Sequence, residues 1–169
     1  MAFIIKENIA GLPAIGSIGS AAVVPLGTIV RADDPVYGSG EFIYLQGVAN
    51  TVVGSVVIWG GVGTGNVPTF QTTLVPNTTL QGQPVAFATA AILANQFGWY
   101  QICGVAIAAT TGTFASAGPG SIGAAGQLVG GVVAGKMILG ATSLTANNVP
   151  GTNQVLLSCS RPMAQGPIT

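Results

Sequence analysis

The sequence predicts an all-β protein: a single domain of short strands forming a β-sandwich or small barrel, with an extended N-terminal arm. Three observations lead there. Short apolar runs rich in Val, Ile, Thr and aromatic residues recur about every ten residues, each closed by Gly, Pro or Asn. Glycine supplies 26 of the 169 residues, without the three-residue period of collagen. Only Thr89–Gln96, TAAILANQ, holds a run of helix formers, and it supports no more than two turns.

Residues 1–27 read as the arm and 28–169 as the β-rich domain. Gly11 to Gly27 mixes Gly, Ser, Ala, Pro and Ile with no clear period, the pattern of a segment that becomes ordered against something else. Phe3, Ile4 and Ile5 are its apolar anchors. Strands are then expected at Ile29–Arg31, Glu41–Gln46, Ser55–Trp59, Thr69–Leu74, Val85–Thr89, Trp99–Ala109, Lys136–Leu144 and Gln154–Ser160. Turn chemistry separates them at Asp33-Asp34-Pro35, Gly60-Gly61, Asn66 to Pro68, Pro76-Asn77, Gly118-Pro119-Gly120 and Asn147 to Gly151. In Gln154–Ser160, Val155, Leu157 and Cys159 share one face and Ser158 and Ser160 the other. Phe42–Leu45 and Val52–Ile58 are apolar on both faces, which suits strands buried on both sides or at a subunit contact.

Charge narrows the function. The chain has no His and eight charged side chains: Lys6, Glu7, Arg31, Asp33, Asp34, Glu41, Lys136 and Arg161. Catalysis at neutral pH usually needs groups that move protons or hold metals, and such groups are scarce here. The sequence therefore reads as a structural protein and not an enzyme, with no cofactor and no metal expected. Mean hydropathy is +0.67 and net charge zero. A surface of that kind favours association, so coverage by other subunits is expected. Four cations spread over the whole chain form no basic stripe, so no nucleic-acid partner is expected.

The opening MAFIIKENIAGLPAIG lacks the order of a secretory signal, because Lys6 follows the short apolar run and Glu7 and Asn8 interrupt it. Synthesis in a reducing cytoplasm is the expectation, with Cys103 and Cys159 as thiols and a disulfide between them as the alternative. Ser121 to Gly140 is the most membrane-like stretch, with two Gly-xxx-Gly spacings. Gln127, Lys136 and its many glycines argue against a membrane helix, and no membrane partner is expected.

Each motif has a plain reading. Gly118 to Gly123 matches G-x-G-x-x-G, yet no helix is expected to start there and no acid follows Glu41, so it reads as a Gly-rich loop. Asp33, Asp34 and Glu41 are a carboxylate group of the sort used in acid–base chemistry or Ca²⁺ binding, but Asp before Pro35 reads as a turn. Asn77-Thr78-Thr79 is a glycosylation sequon by letter only. The aromatic residues Phe42, Tyr44, Trp59, Trp99 and Tyr100 read as core or interface anchors.

Three stretches carry a resemblance: Gly40–Trp59 (GEFIYLQGVANTVVGSVVIW), Asn95–Ile107 (NQFGWYQICGVAI) and Arg161-Pro162-Met163. Together they resemble the capsid decoration proteins (head stabilisation, or cement, proteins) of tailed bacteriophages. The resemblance implies a small β-rich protein, commonly a homotrimer, bound in many copies to the outside of an icosahedral head and clamping the major capsid protein. The expected location is then the virion capsid surface. The alternatives are another virion component (minor head, fibre-base or tail subunit) or, from a different class, a membrane β-barrel protein.

Overall fold

The computed structural model describes residues 4–6, 11–61, 69–78, 80–114 and 117–166. Phe3 lies outside them. Every regular element among the described residues is a strand: β1 Ile4–Ile5, β2 Ile18–Gly19, β3 Ile29–Asp34, β4 Gly38–Gln46, β5 Val56–Ile58, β6 Thr73–Leu74, β7 Val85–Ala88, β8 Phe97–Ala109, β9 Pro119–Ala124, β10 Gln127–Gly130, β11 Met137–Ser143 and β12 Gln154–Ala164. They form one open antiparallel sheet, whose main path runs β1-β3-β4-β8-β12-β11-β9-β10. The expected all-β class holds.

Strand β8 is the axis. Its first half pairs with β4 on one edge, while β2, β7 and β12 follow one another along it. Residues Phe42 and Tyr44 of β4 join one apolar cluster with Val30, Ala32 and Trp99. Ile43 and Leu45 join a second cluster with Val57, Ala86, Tyr100 and Ile102 on the opposite face. The double-sided apolar pattern of Phe42–Leu45 thus reflects burial on both faces within one chain. A third cluster, around Phe87, Leu128, Ile138, Val155 and Leu157, lies between β7 and the β9–β12 region.

The segment read as an arm packs on its own domain. Leu12, Ile15, Val24 and Leu26 cover the cluster of Phe42, Tyr44 and Trp99, and Ile5 reaches it from β1. The Trp99 indole Nε1 donates to the Pro13 carbonyl at 2.9 Å, and Ile18–Gly19 pairs with Phe97 and Gly98. Sequence reasoning sent these apolar residues to a partner because their spacing fits no regular element. Cis packing explains that spacing equally well, since an irregular cover needs apolar contacts but no period.

Two further expectations change. Thr89–Gln96 makes no helix: Ile92 is fully buried, and a turn is held by the Leu93 N–H donating to Gln96 Oε1 at 2.8 Å. Gly118 to Gly123, read as a Gly-rich loop, instead runs into strand β9, which pairs with β10 as a hairpin. Its glycines allow close approach: a Cβ on Gly130 would stand 2.8 Å from the Thr113 carbonyl oxygen and 2.9 Å from Phe114 Cα. The G-x-G-x-x-G match is therefore strand, with no helix end to face a phosphate. No helix among the described residues is long and apolar enough to cross a membrane.

Two buried acids link the core to pH. Both cysteines are unbonded thiols. Burial pushes the Cys159 thiol from 9.0 up to about 12, and burial likewise raises the Tyr100 phenol from 10.0 to about 12. Both groups stay protonated longer in the folded chain than in the unfolded one. Their contribution is thus complete below about pH 9 and is lost as the pH climbs toward 12. Thermal stability is expected to fall steeply across that alkaline window, and less steeply in Tyr100→Phe. Melting curves recorded through the window check this; a flat profile contradicts it.

Candidate interaction surface

Five of the chain's eight charged residues, Lys6, Arg31, Asp33, Glu41 and Arg161, gather where β1, β3, β4 and β12 meet. The β3–β4 register sets Arg31 opposite Glu41, and β1 sets Ile4 opposite Asp33, bringing Lys6 alongside. Cys103 of β8 is flanked by Glu41 on one side and Ser160 on the other, which brings the end of β12 to Glu41. Arg161 adopts a positive φ of 43°, beside the register shift at Gly140 of β11. Its guanidinium donates to Glu41 Oε2 through Nε at 3.1 Å and Nη2 at 3.0 Å. Arg31 Nη2 approaches the other oxygen at 3.4 Å, and Lys6 pairs with Asp33 at 3.1 Å. A hydrogen bond from Ser39, and then Lys6, holds the Asp33 carboxyl below its usual range. Among the described residues these three ion pairs join three cations to two carboxylates, an excess of one positive charge.

Asp34 holds the turn that follows β3. Its Oδ1 accepts from the N–H groups of Val36 (2.8 Å) and Tyr37 (2.9 Å), the side-chain-stapled turn expected before Pro35. Among the described residues no three His, Cys, Asp or Glu side chains stand together as a metal-binding group.

Next to the ion cluster lies an apolar cleft of about 220 Å³, lined by Ile29, Trp59, Pro84, Val85, Ile102, Arg161, Pro162 and Met163. It opens where β7 and β12 part along β8: β7 pairs with Tyr100 and Gln101, whereas β12 pairs only from Cys103 onward. Ile29 is 44% exposed and Met163 50%, and the register partner of Met163, Leu139, is 46% exposed. Apolar surface therefore continues out of the cleft onto β11. Such side chains are normal singly, but adjacent ones mark contact surfaces. Trp59 stacks on Phe70 with ring centroids 6.4 Å apart and also walls a second, more polar cleft with Gln71, Thr73 and Gln83. Its Nε1–H is buried and lacks a hydrogen-bond partner, a state that costs about 1–3 kcal/mol.

The aromatic anchors read from the sequence divide between core and surface. Phe42, Tyr44, Trp99 and Tyr100 are fully buried, and Tyr44 meets Trp99 edge to face at 5.0 Å. Trp59 is a cleft wall, Ile5 is partly buried, and Ile4 is 65% exposed. Two important residues went unrecognised. Gln101 is buried and donates through Nε2 to the carbonyls of Cys103 and Val105, both at 3.0 Å. A polar residue inside the apolar run WYQICGVAI was its only signal. Arg161 had one as well: a lone charge near the end of a strand.

Comparison of the chain with protein-family models, curated proteins and solved structures finds no match.

Proposed function

We propose that this chain is a structural virion protein that binds the outside of a phage icosahedral capsid and stabilises it by bridging major capsid subunits, most simply as a homotrimer. The reading rests on the resemblance to decoration proteins. The observation that supports it is the convergence of the three stretches carrying that resemblance. Gly40–Trp59 and Asn95–Ile107 supply the paired strands β4 and β8, and Arg161-Pro162-Met163 closes onto them through Glu41. The convergence leaves a mostly apolar contact surface with a small charged rim.

The test is association with particles. The protein is expected to copurify with assembled heads in a symmetric copy number and to stay attached in 1 M NaCl, where the Debye length falls to about 3 Å from about 10 Å at 0.1 M. Apolar attachment survives that change, and the patch's ion pairs leave an excess of only one charge among the described residues to meet a partner. A soluble monomer that never sediments with heads contradicts the reading. Release by 1 M salt contradicts the apolar attachment. Association with tails alone favours another virion component.

A further inference from the structure

We infer that the cleft beside Trp59 receives an extended peptide segment of a partner protein, seating an apolar side chain between Trp59 and Met163 and a carboxylate on the Arg161–Arg31 rim. The inference rests on the virion reading only for the source of that segment. Three features select this occupant. The cleft lining is apolar except for Arg161, which asks for an aliphatic side chain. In the adjoining patch two well-exposed arginines, Arg31 at 72% and Arg161 at 68%, share the single Glu41 carboxylate, which among the described residues leaves room for a second carboxylate. The third is spacing. Ile29, Arg31 and Asp33 alternate along one side of β3, so the apolar and charged positions repeat at about 7 Å, the same-face repeat of an extended chain. A peptide running beside β3 with an apolar residue at i over Ile29 therefore presents an acid at i+2 to Arg31 and the neighbouring Arg161, while i+4 falls beside the Asp33–Lys6 pair.

The unpartnered Trp59 Nε1–H adds a reason for the ring to yield. Its resting position leaves a buried donor unsatisfied, so a segment that displaces the ring and offers a backbone carbonyl removes that penalty.

The experiment uses the full chain and fluorescein-labelled peptides of sequence SLPDLDS and SLPNLNS, amidated at the C-terminus, read by anisotropy. The acidic peptide is expected to bind about fivefold more tightly, the size of one exposed ion pair. Arg161→Gln should erase that preference while keeping the weaker binding. Ile29→Ser combined with Met163→Ser should weaken both peptides about tenfold through lost burial. Ile29 and Met163 are half exposed, so melting temperature should barely move and serves as the folding control. Three results overturn the inference: equal affinity of the two peptides, no saturable binding of either below about 1 mM, or binding indifferent to the double variant. If the double variant instead dissolves a homo-oligomer, a second copy is the occupant and the inference falls. Peptide binding without particle association defeats the virion reading alone; particle association without peptide binding defeats only this inference.

Discussion

Trp99→Ala is expected to cost about 3–5 kcal/mol of stability, the usual penalty for emptying a buried large-aromatic site. The ring is fully buried, packs edge to face on Tyr44, and sits among Val30, Ala32 and Phe42. Its loss also removes the indole donor to Pro13, so residues 11–27 lose their anchor as well as the surface they cover. Domains of this size are typically stable by about 5–15 kcal/mol, so the variant stands near the threshold of unfolding. Trp99→Phe separates the two effects. It keeps most of the apolar contact and gives up the hydrogen bond, worth about 0.5–1.5 kcal/mol. A chain beginning at Val23 deletes Leu12, Ile15 and the Pro13 carbonyl from the other side of the same contact. It should melt earlier than the full chain and expose Trp99 to acrylamide quenching. Urea titrations of the three proteins measure the ordering. A Trp99→Ala protein with an unchanged midpoint shows that the cluster contributes little, and an unchanged Val23 variant shows that the cover is passive.

Gly104→Ala is the second large effect, and its cause is backbone rather than burial. Gly104 sits in the middle of β8 with φ at +97°, a region L side chains rarely adopt. A Cβ there would stand 2.5 Å from the Ser39 carbonyl oxygen and 3.0 Å from Gly40 Cα. Those atoms belong to β4, which shifts register between Glu41 and Phe42 to accommodate the irregularity. The strained φ costs about 1–3 kcal/mol, and overpacking the strand contact adds about 1–3 more. Gln101 bridges the carbonyls of Cys103 and Val105 around the same point, so the site is built to hold one shape. The substitution should also move Glu41 relative to Arg161, weakening the peptide cleft as well as the fold. Chemical denaturation measures the first, and peptide anisotropy on the residual folded protein measures the second. Wild-type stability in Gly104→Ala shows that the bulge can flatten without penalty.

Gly104 also marks where sequence reading stops. In FGWYQICGVAI the aromatic and β-branched residues identify β8, and EFIYLQ identifies β4, because large side chains on a pleated surface leave a pattern in the letters. Nothing in those letters says that the glycine twists the strand so that β4 and β12 flank Cys103 together. That depends on which backbone approaches Gly104, a fact of tertiary pairing. The β9–β10 hairpin was illegible for the opposite reason. Most of its residues are Gly, Ser and Ala, whose small side chains give alternation little hydrophobic contrast, and the hairpin is held because its own Ile122 and Leu128 pack with Phe114.

The all-β class, most of the strand positions, the turn at Asp34-Pro35 and the anchoring role of the aromatic residues in β4 and β8 are legible in local stretches of the chain. These follow from local side-chain size, turn chemistry and the transfer free energy of aromatic groups, all properties of single residues or near neighbours. Tertiary structure alone decided that the N-terminal segment covers its own sheet, that Glu41 collects Arg31 and an Arg161 lying 120 residues away, and that Trp59 walls a cleft instead of filling the core. Each of those rests on contacts between residues far apart in the chain. Their energies depend on register and strand curvature, which no window of sequence contains.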